Sequence, residues 1–210
     1  MRNCLLLAAA MVEPSCQTMV DIGFILDSSG SLRNDYDKEK SFLKALVATF
    51  GISTDGSRAG VITFSYNAEH SIKLNEHDNL LSFNRDVDKI PMMGSTTRID
   101  KALRLSQKEL FSISNGARPG IPKILVLLTD GSQTQDMNAE DPSVIADEMR
   151  KKGVRVLVVG IGDEVDKGEL SRLGGGMGNV FTASSFDELV SSNFVNDVTE
   201  TSCIVGMLSY

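Results

Sequence analysis

Three short stretches concentrate side chains able to act together: Asp27-Ser28-Ser29-Gly30-Ser31, Gly94-Ser95-Thr96-Thr97 and Thr129-Asp130-Gly131-Ser132. They offer carboxylates and hydroxyls, and none offers an imidazole, thiol or amine. Hard oxygen donors of this kind suit Mg²⁺, Mn²⁺ or Ca²⁺ rather than zinc, for which imidazole and thiolate are the usual partners. Two carboxylates balance the charge of a divalent ion but, with three hydroxyls, supply only five donors, and Mg²⁺ usually keeps several waters. One coordination position can therefore pass to a carboxylate from another molecule.

For the three loops to converge, each must leave an element end on the same side of the fold. In open α/β sheets, ligands bind beyond the carboxyl ends of the strands, where strand order reverses. Val20 to Leu26 reads as a buried strand that ends on the first loop, and Asp35 to Phe50 carries Phe42, Leu43, Leu46, Val47 and Phe50 at helical spacing with Gly51 as its stop. Ala59 to Phe64 and Ser71 to Leu74 read as a hairpin around a turn at Tyr66 to Glu69, the second strand being a half-exposed edge. A helix is expected over Leu80 to Lys89, stopped by Pro91, and another over Thr97 to Phe111. Ile124 to Leu128 and Val154 to Ile161 read as central parallel strands with a helix over Ser143 to Lys152 between them. Val180 and Phe181 make a short last strand, and Phe186 to Phe194 a closing amphipathic helix. The alternation predicts one α/β domain: a doubly wound, mostly parallel six-stranded sheet with one antiparallel edge strand and helices on both faces, Rossmann-like in plan.

With 210 residues the chain suffices for one domain and short tails. Its 28 acidic against 21 basic residues give a net charge of −7, which excludes the basic footprint of a nucleic-acid binder. The longest apolar stretch, Cys4 to Val12, is about half of the roughly 20 residues a membrane span needs, so no span is expected. Arg2 before it and Ala8 to Ala10 within it match a short secretory leader, with a non-native or truncated start as the other reading. Cys16 and Cys203 bracket the predicted elements, and domain termini often lie close together. A disulfide between them, in an oxidising compartment, would close a loop over almost the whole chain and stabilise it by about 5 kcal/mol at most, the alternative being two unpaired thiols in a reducing cytosol.

The three loops in this order resemble the von Willebrand factor type A domain with its metal-ion-dependent adhesion site. That site is marked by Asp-x-Ser-x-Ser after the first strand, a Thr before a middle helix and an Asp after the central strand. Asp27, Ser29 and Ser31 match the first element and Asp130, in Leu-Leu-Thr-Asp-Gly, the third. Family sequences usually read Thr-x-Thr-Gly-x-Ala-Leu at the second; counting back from Ala102-Leu103 gives Thr97, with Thr96 as the fallback because Ile99 and Asp100 depart from the usual Thr and Gly. The resemblance implies Mg²⁺, or Mn²⁺ or Ca²⁺, bound directly by Ser29, Ser31 and Thr97 and directly or through water by Asp27 and Asp130. It further implies a secreted adhesion domain over residues 17–200, with a leader or extension at 1–16 and a tail at 201–210. Its partner would be an extracellular-matrix protein such as a collagen or matrix glycoprotein, captured through an acidic residue. In the resembling domains binding is coupled to movement of the closing helix, here Phe186 to Phe194. The alternative is a structural matrix protein that mediates assembly or ion and mineral association, its metal site incidental.

Other signals fall short of an enzyme. Asp27 as a phosphotransferase nucleophile would need a second Asp where Ser29 stands, and no base accompanies Ser29 or Ser31. Gly160-Ile161-Gly162 lacks a third dinucleotide glycine, Val165 standing there, and Gly174 to Gly178 lacks the Lys-Ser or Lys-Thr of a phosphate cradle. His70 and His77 read as surface residues. Asp136, Glu140 and Asp141 read as a solvated lead-in to a helix N-terminus, or else as a negative rim beside the ion.

Overall fold

The computed structural model describes residues 19–163 and 165–203. All seven residues of β1 (Asp21–Asp27) are buried, which explains why they form a nearly unbroken apolar run: the strand is covered on both faces. Asp21 is the polar exception, and Arg118 neutralises it by donating from Nε to Oδ1 at 2.9 Å and from its backbone N–H to Oδ2 at 2.7 Å. The other strands are β2 (Arg58–Phe64), β3 (Ala68–Ile72), β4 (Lys123–Thr129), β5 (Val154–Ile161) and β6 (Val180–Ala183), and the spatial order is β3-β2-β1-β4-β5-β6. All neighbours run parallel except β2 and β3, as the sequence predicts. The chain winds outward from β1 to β2 and β3, then returns to β4 on the other flank. The switch point therefore lies between β1 and β4, whose carboxyl ends are Asp27 and Thr129.

Helices α1 (Tyr36–Phe50), α2 (Leu80–Lys89), α6 (Phe186–Leu189) and α7 (Ser192–Cys203) cover one face, where Phe24, Leu26, Phe42, Leu46, Val87, Leu189 and Val198 share one apolar cluster. Helices α3 (Ile99–Leu105), α4 (Pro142–Lys151) and α5 (Lys167–Gly174) cover the other, with Ile25, Phe64, Leu103, Ile145, Met149 and Leu170 in a second cluster. α3 passes into a π-helical turn, Ser106–Leu110, seated on two glycines. A Cβ at Gly23 would lie 2.4 Å from Leu110 Cδ2 and one at Gly60 2.8 Å from Leu110 Cδ1, so Leu110 occupies the room they leave.

Four expectations need correction. β3 spans Ala68–Ile72, not Ser71 to Leu74, because the hairpin turns tightly: Ser65 N–H donates to Asn67 O at 2.9 Å and pairing resumes at once. α5 was not anticipated; Asp166 caps it by accepting from Gly168 and Glu169, and only Leu170 and Leu173 signal its buried face. The closing segment is two helices, because the Ser191 hydroxyl accepts from Phe194 N–H at 3.3 Å and starts α7 afresh. His70 and His77 are not surface residues, their side chains being 8% and 6% exposed. No helix among the described residues is long and apolar enough to cross a membrane. Cys203 ends α7 and is disulfide-bonded, while Cys16 and the expected leader lie outside the described residues.

Candidate metal centre

Asp27 ends β1 with no exposed surface. Its Oδ1 accepts from Ser29 N–H at 2.9 Å and its Oδ2 from Thr129 Oγ1 at 3.1 Å, so the carboxylate is aimed from both sides of the β1–β4 seam. Ser28 faces the other way: its hydroxyl donates to Phe64 O at 3.0 Å, and its carbonyl accepts from Gly94 N–H at 2.8 Å. That alternation leaves Ser29 and Ser31 on the site side, with hydroxyl oxygens 3.1 Å apart. Gly30 N–H donates to Ser95 O at 2.9 Å, docking the first loop on the second. Thr97 is half-buried and Thr96 exposed; Thr97 is held by exchange with Thr134, donating to its Oγ1 at 3.2 Å and accepting from its N–H at 2.8 Å. Asp130 follows Thr129, half-exposed and close enough for its charge to act on Asp27.

A third carboxyl, absent from the sequence-based set, lies within reach of the charges of Asp27 and Asp130. Glu39 on α1 is fully buried, and neither carboxyl oxygen has a hydrogen-bond partner. Burial holds it well above the ordinary glutamate range, and the charges of Asp27 and Asp130 push it the same way. Burial likewise pushes Asp27 up to about 7, against the bonds from Ser29 and with added repulsion from Asp130. Carboxyls that crowd together away from water cannot all ionise unless a cation joins them. Asp27, Glu39 and the adjoining Ser29 and Ser31 hydroxyls are hard-oxygen donors, and the orphaned Glu39 oxygens fit a divalent ion or its waters.

The sequence profile described as "von Willebrand factor type A domain" matches residues 21–195. The chain belongs to the von Willebrand factor type A domain family. Similar proteins include von Willebrand factor A domain-containing protein 2 of Xenopus laevis, 28% identical over 190 residues, which are 90% of this chain and 23% of that protein. Another is the collagen alpha-6(VI) chain of Mus musculus, 34% identical over 180 residues, 84% of this chain and 8% of that one. The chain thus spans less than a quarter of these curated relatives. Among solved structures, proximal thread matrix protein 1 from the mussel byssus superposes with a TM-score of 0.84 at 28% identity, covering 90% of this chain and 49% of that chain. A second structure of that mussel protein, at TM-score 0.83 and 27% identity, is described as having a zinc-occupied MIDAS motif and covers the same shares.

Within this type A domain, Arg98 and Asp100, the latter standing where the family usually has Gly, form a buried clamp. Arg98 donates from Nε and Nη2 to the Asp100 carboxylate at 2.8 and 2.7 Å, and from Nη1 to Asp136 at 2.5 Å. Asp100 N–H donates to Gln133 Oε1 at 2.7 Å, and Glu140 N–H donates to Asp100 Oδ2 at 3.1 Å. The Thr97 loop is thereby tied to the chain that follows Asp130. The three acids considered for a rim are all engaged: Asp136 with Arg98, Glu140 with Arg104 at 2.6 Å, and Asp141 as the α4 cap accepting from Ser143 N–H. Glu39 has a sequence signal in the helical spacing of α1. It lies three and four residues before Phe42 and Leu43, on the buried stripe of α1.

Proposed function

We propose that this is a secreted, matrix-associated adhesion domain that holds a divalent cation, Mg²⁺ first, at Asp27, Ser29, Ser31, Thr97 and Asp130. The ion's sixth partner would be an acidic side chain of an extracellular-matrix protein such as a collagen or matrix glycoprotein. The observation that carries this reading is buried Asp27 and wholly unpartnered Glu39 beside the adjoining hydroxyls of buried Ser29 and exposed Ser31. Such a set is costly without a cation and ordinary with one. When bound, the ion supplies positive charge that attracts a carboxylate.

The chain's own groups do the rest. Thr129 and the Ser29 N–H orient Asp27. Ser29, Ser31 and Thr97 contribute donor oxygens without formal charge, so the ion keeps an appetite for an outside anion. Ser31 is exposed and Ser29 buried, so the approach is from the Ser31 side. The ion-pairing of Asp136 and Glu140 removes negative charge that would repel an acidic ligand.

The test is adsorption to collagen and matrix-glycoprotein surfaces in Mg²⁺ and in chelator, with Asp130→Ala alongside. Binding that vanishes in chelator and in the variant supports capture through the ion. Undiminished binding in chelator that follows ionic strength instead favours assembly through the acidic surface, the reading that the charge of −7 permits.

A further inference from the structure

The connection between β3 and α2 brings Glu76 and His77 against Asp86 of α2, with a carboxylate oxygen or ring nitrogen of each within 4.8 Å of the others. This cluster shares no residue with the hard-oxygen centre, and it contains an imidazole. The His77 ring is nearly all buried, its side chain 6% exposed, and packs edge-on against Phe83 at 5.9 Å between ring centres. Its orientation is fixed by Ser82. The Ser82 hydroxyl lies 3.1 Å from both Asn79 O and His77 Nδ1; when it donates to Asn79 O, it accepts from His77 Nδ1–H. In that tautomer Nδ1 carries the proton and the lone pair of the neutral ring is on Nε2.

That lone pair points at anions. Nε2 is buried without a hydrogen-bond partner and stands 3.4 Å from Asp86 Oδ2. Lys89 takes the other oxygen, Oδ1, at 2.7 Å, and Arg85 approaches the same oxygen at 3.6 Å. Glu76 accepts from Lys73 N–H through Oε2 at 2.9 Å. A lone pair facing a carboxylate is repulsive unless a proton or a cation lies between them. Two ligand atoms on a tetrahedral zinc, each roughly 2.0–2.2 Å from the metal, are about 3.3–3.5 Å apart. The observed separation is that of neighbouring ligands on one ion. A ligating His whose other ring N–H is held by an outer partner is the usual arrangement at such sites.

We propose that His77 Nε2, Asp86 Oδ2 and a Glu76 carboxylate oxygen form a second metal site, selective for a zinc-class divalent transition ion over Mg²⁺. Imidazole supplies the selectivity, since Mg²⁺ prefers oxygen donors alone. Three protein ligands leave one tetrahedral position to water. The ion would staple the β3–α2 connection to its following helix, with Ser82 as the positioning residue for the ring.

The experiment is Zn²⁺ titration by calorimetry on the full chain carrying Asp130→Ala, in excess Mg²⁺ so that the hard-oxygen centre does not report. One zinc per chain is expected. Asp86→Asn, at a half-exposed helix position, should weaken it more than the roughly 10–100-fold that loss of an outer partner costs, and Ser82→Ala by about that smaller factor. Ring ¹⁵N spectra at fixed pH should show the His77 Nε2 resonance shifting on zinc addition while Nδ1 keeps its proton. Zinc uptake indifferent to Asp86→Asn, no uptake at all, or an Nε2 signal that responds to pH but not to zinc would overturn the site in favour of a His77–Asp86 ion pair.

Discussion

Asp27 and Glu39 sit where burial opposes ionisation, and Asp130 adds its charge to the opposition. The metal-free domain therefore holds protons that its unfolded chain releases. Both folded-state values are raised, so the stabilisation is complete below about pH 4, where an unfolded carboxylate titrates, and is lost as pH rises through about 7, with Glu39 extending the loss upward. Urea unfolding of metal-free protein should show stability falling over that window. Saturating Mg²⁺ should flatten the fall, and Glu39→Gln should flatten it without metal. A metal-free stability that climbs between pH 5 and about 7 would contradict the burial argument. Asp130→Ala has a separable signature. It removes a donor from the candidate site, so Mg²⁺ affinity should drop at least about tenfold by calorimetry. It also removes a repulsive charge, so the metal-free unfolding midpoint should hold or rise.

At the scale of elements, the clamp from Arg98 to Asp100 and Asp136 decides where the Thr97 loop stands relative to Asp130. Both Arg98 and Asp100 are almost wholly buried, at 3% and 2% exposed, so the pair's merit lies in the positions it enforces rather than in net stability. Arg98→Met leaves Asp100 buried without its bidentate partner and should cost about 3–5 kcal/mol, read as a lowered urea midpoint. The closing segment forms a second mechanical link. Phe194 of α7 meets Phe42 of α1 edge-on at 5.8 Å and Phe181 of β6 at 6.4 Å, and α1 carries Glu39. Phe194→Leu should change affinity for the matrix ligand by a measurable factor while the Mg²⁺ isotherm stays unchanged, because the substitution touches packing and no oxygen donor.

Over the whole molecule, Cys203 closes a disulfide at the end of α7, on the face that also holds α1. Non-reducing peptide mapping should recover the Cys16 and Cys203 peptides joined, and reduction should cost about 2–5 kcal/mol of stability. What the sequence by itself determined is local or periodic. Buried strands announce themselves as apolar runs, so β1, β4 and β5 were legible, and the loops that end β1 and β4 carry their oxygen donors within a few residues of the strand end. Winding order then places Asp27 beside Thr129 and Asp130 through the handedness and switch-point rules of parallel sheets. A short helix such as α5, with two apolar anchors, falls below what periodicity can resolve. Other features depended on what lies opposite. The spacing of α1 puts Glu39 on the same stripe as Phe42 and Leu43, but only packing of that stripe over the end of β1 sets its carboxyl near Asp27 and Asp130 with no partner. His77 and Asp86 are separated by a turn and most of a helix, and only the fold of that connection turns a ring nitrogen toward a carboxylate. Period fixes a residue's face; the surface that meets it is settled by tertiary contact, because burial and charge depend on neighbours distant in the chain.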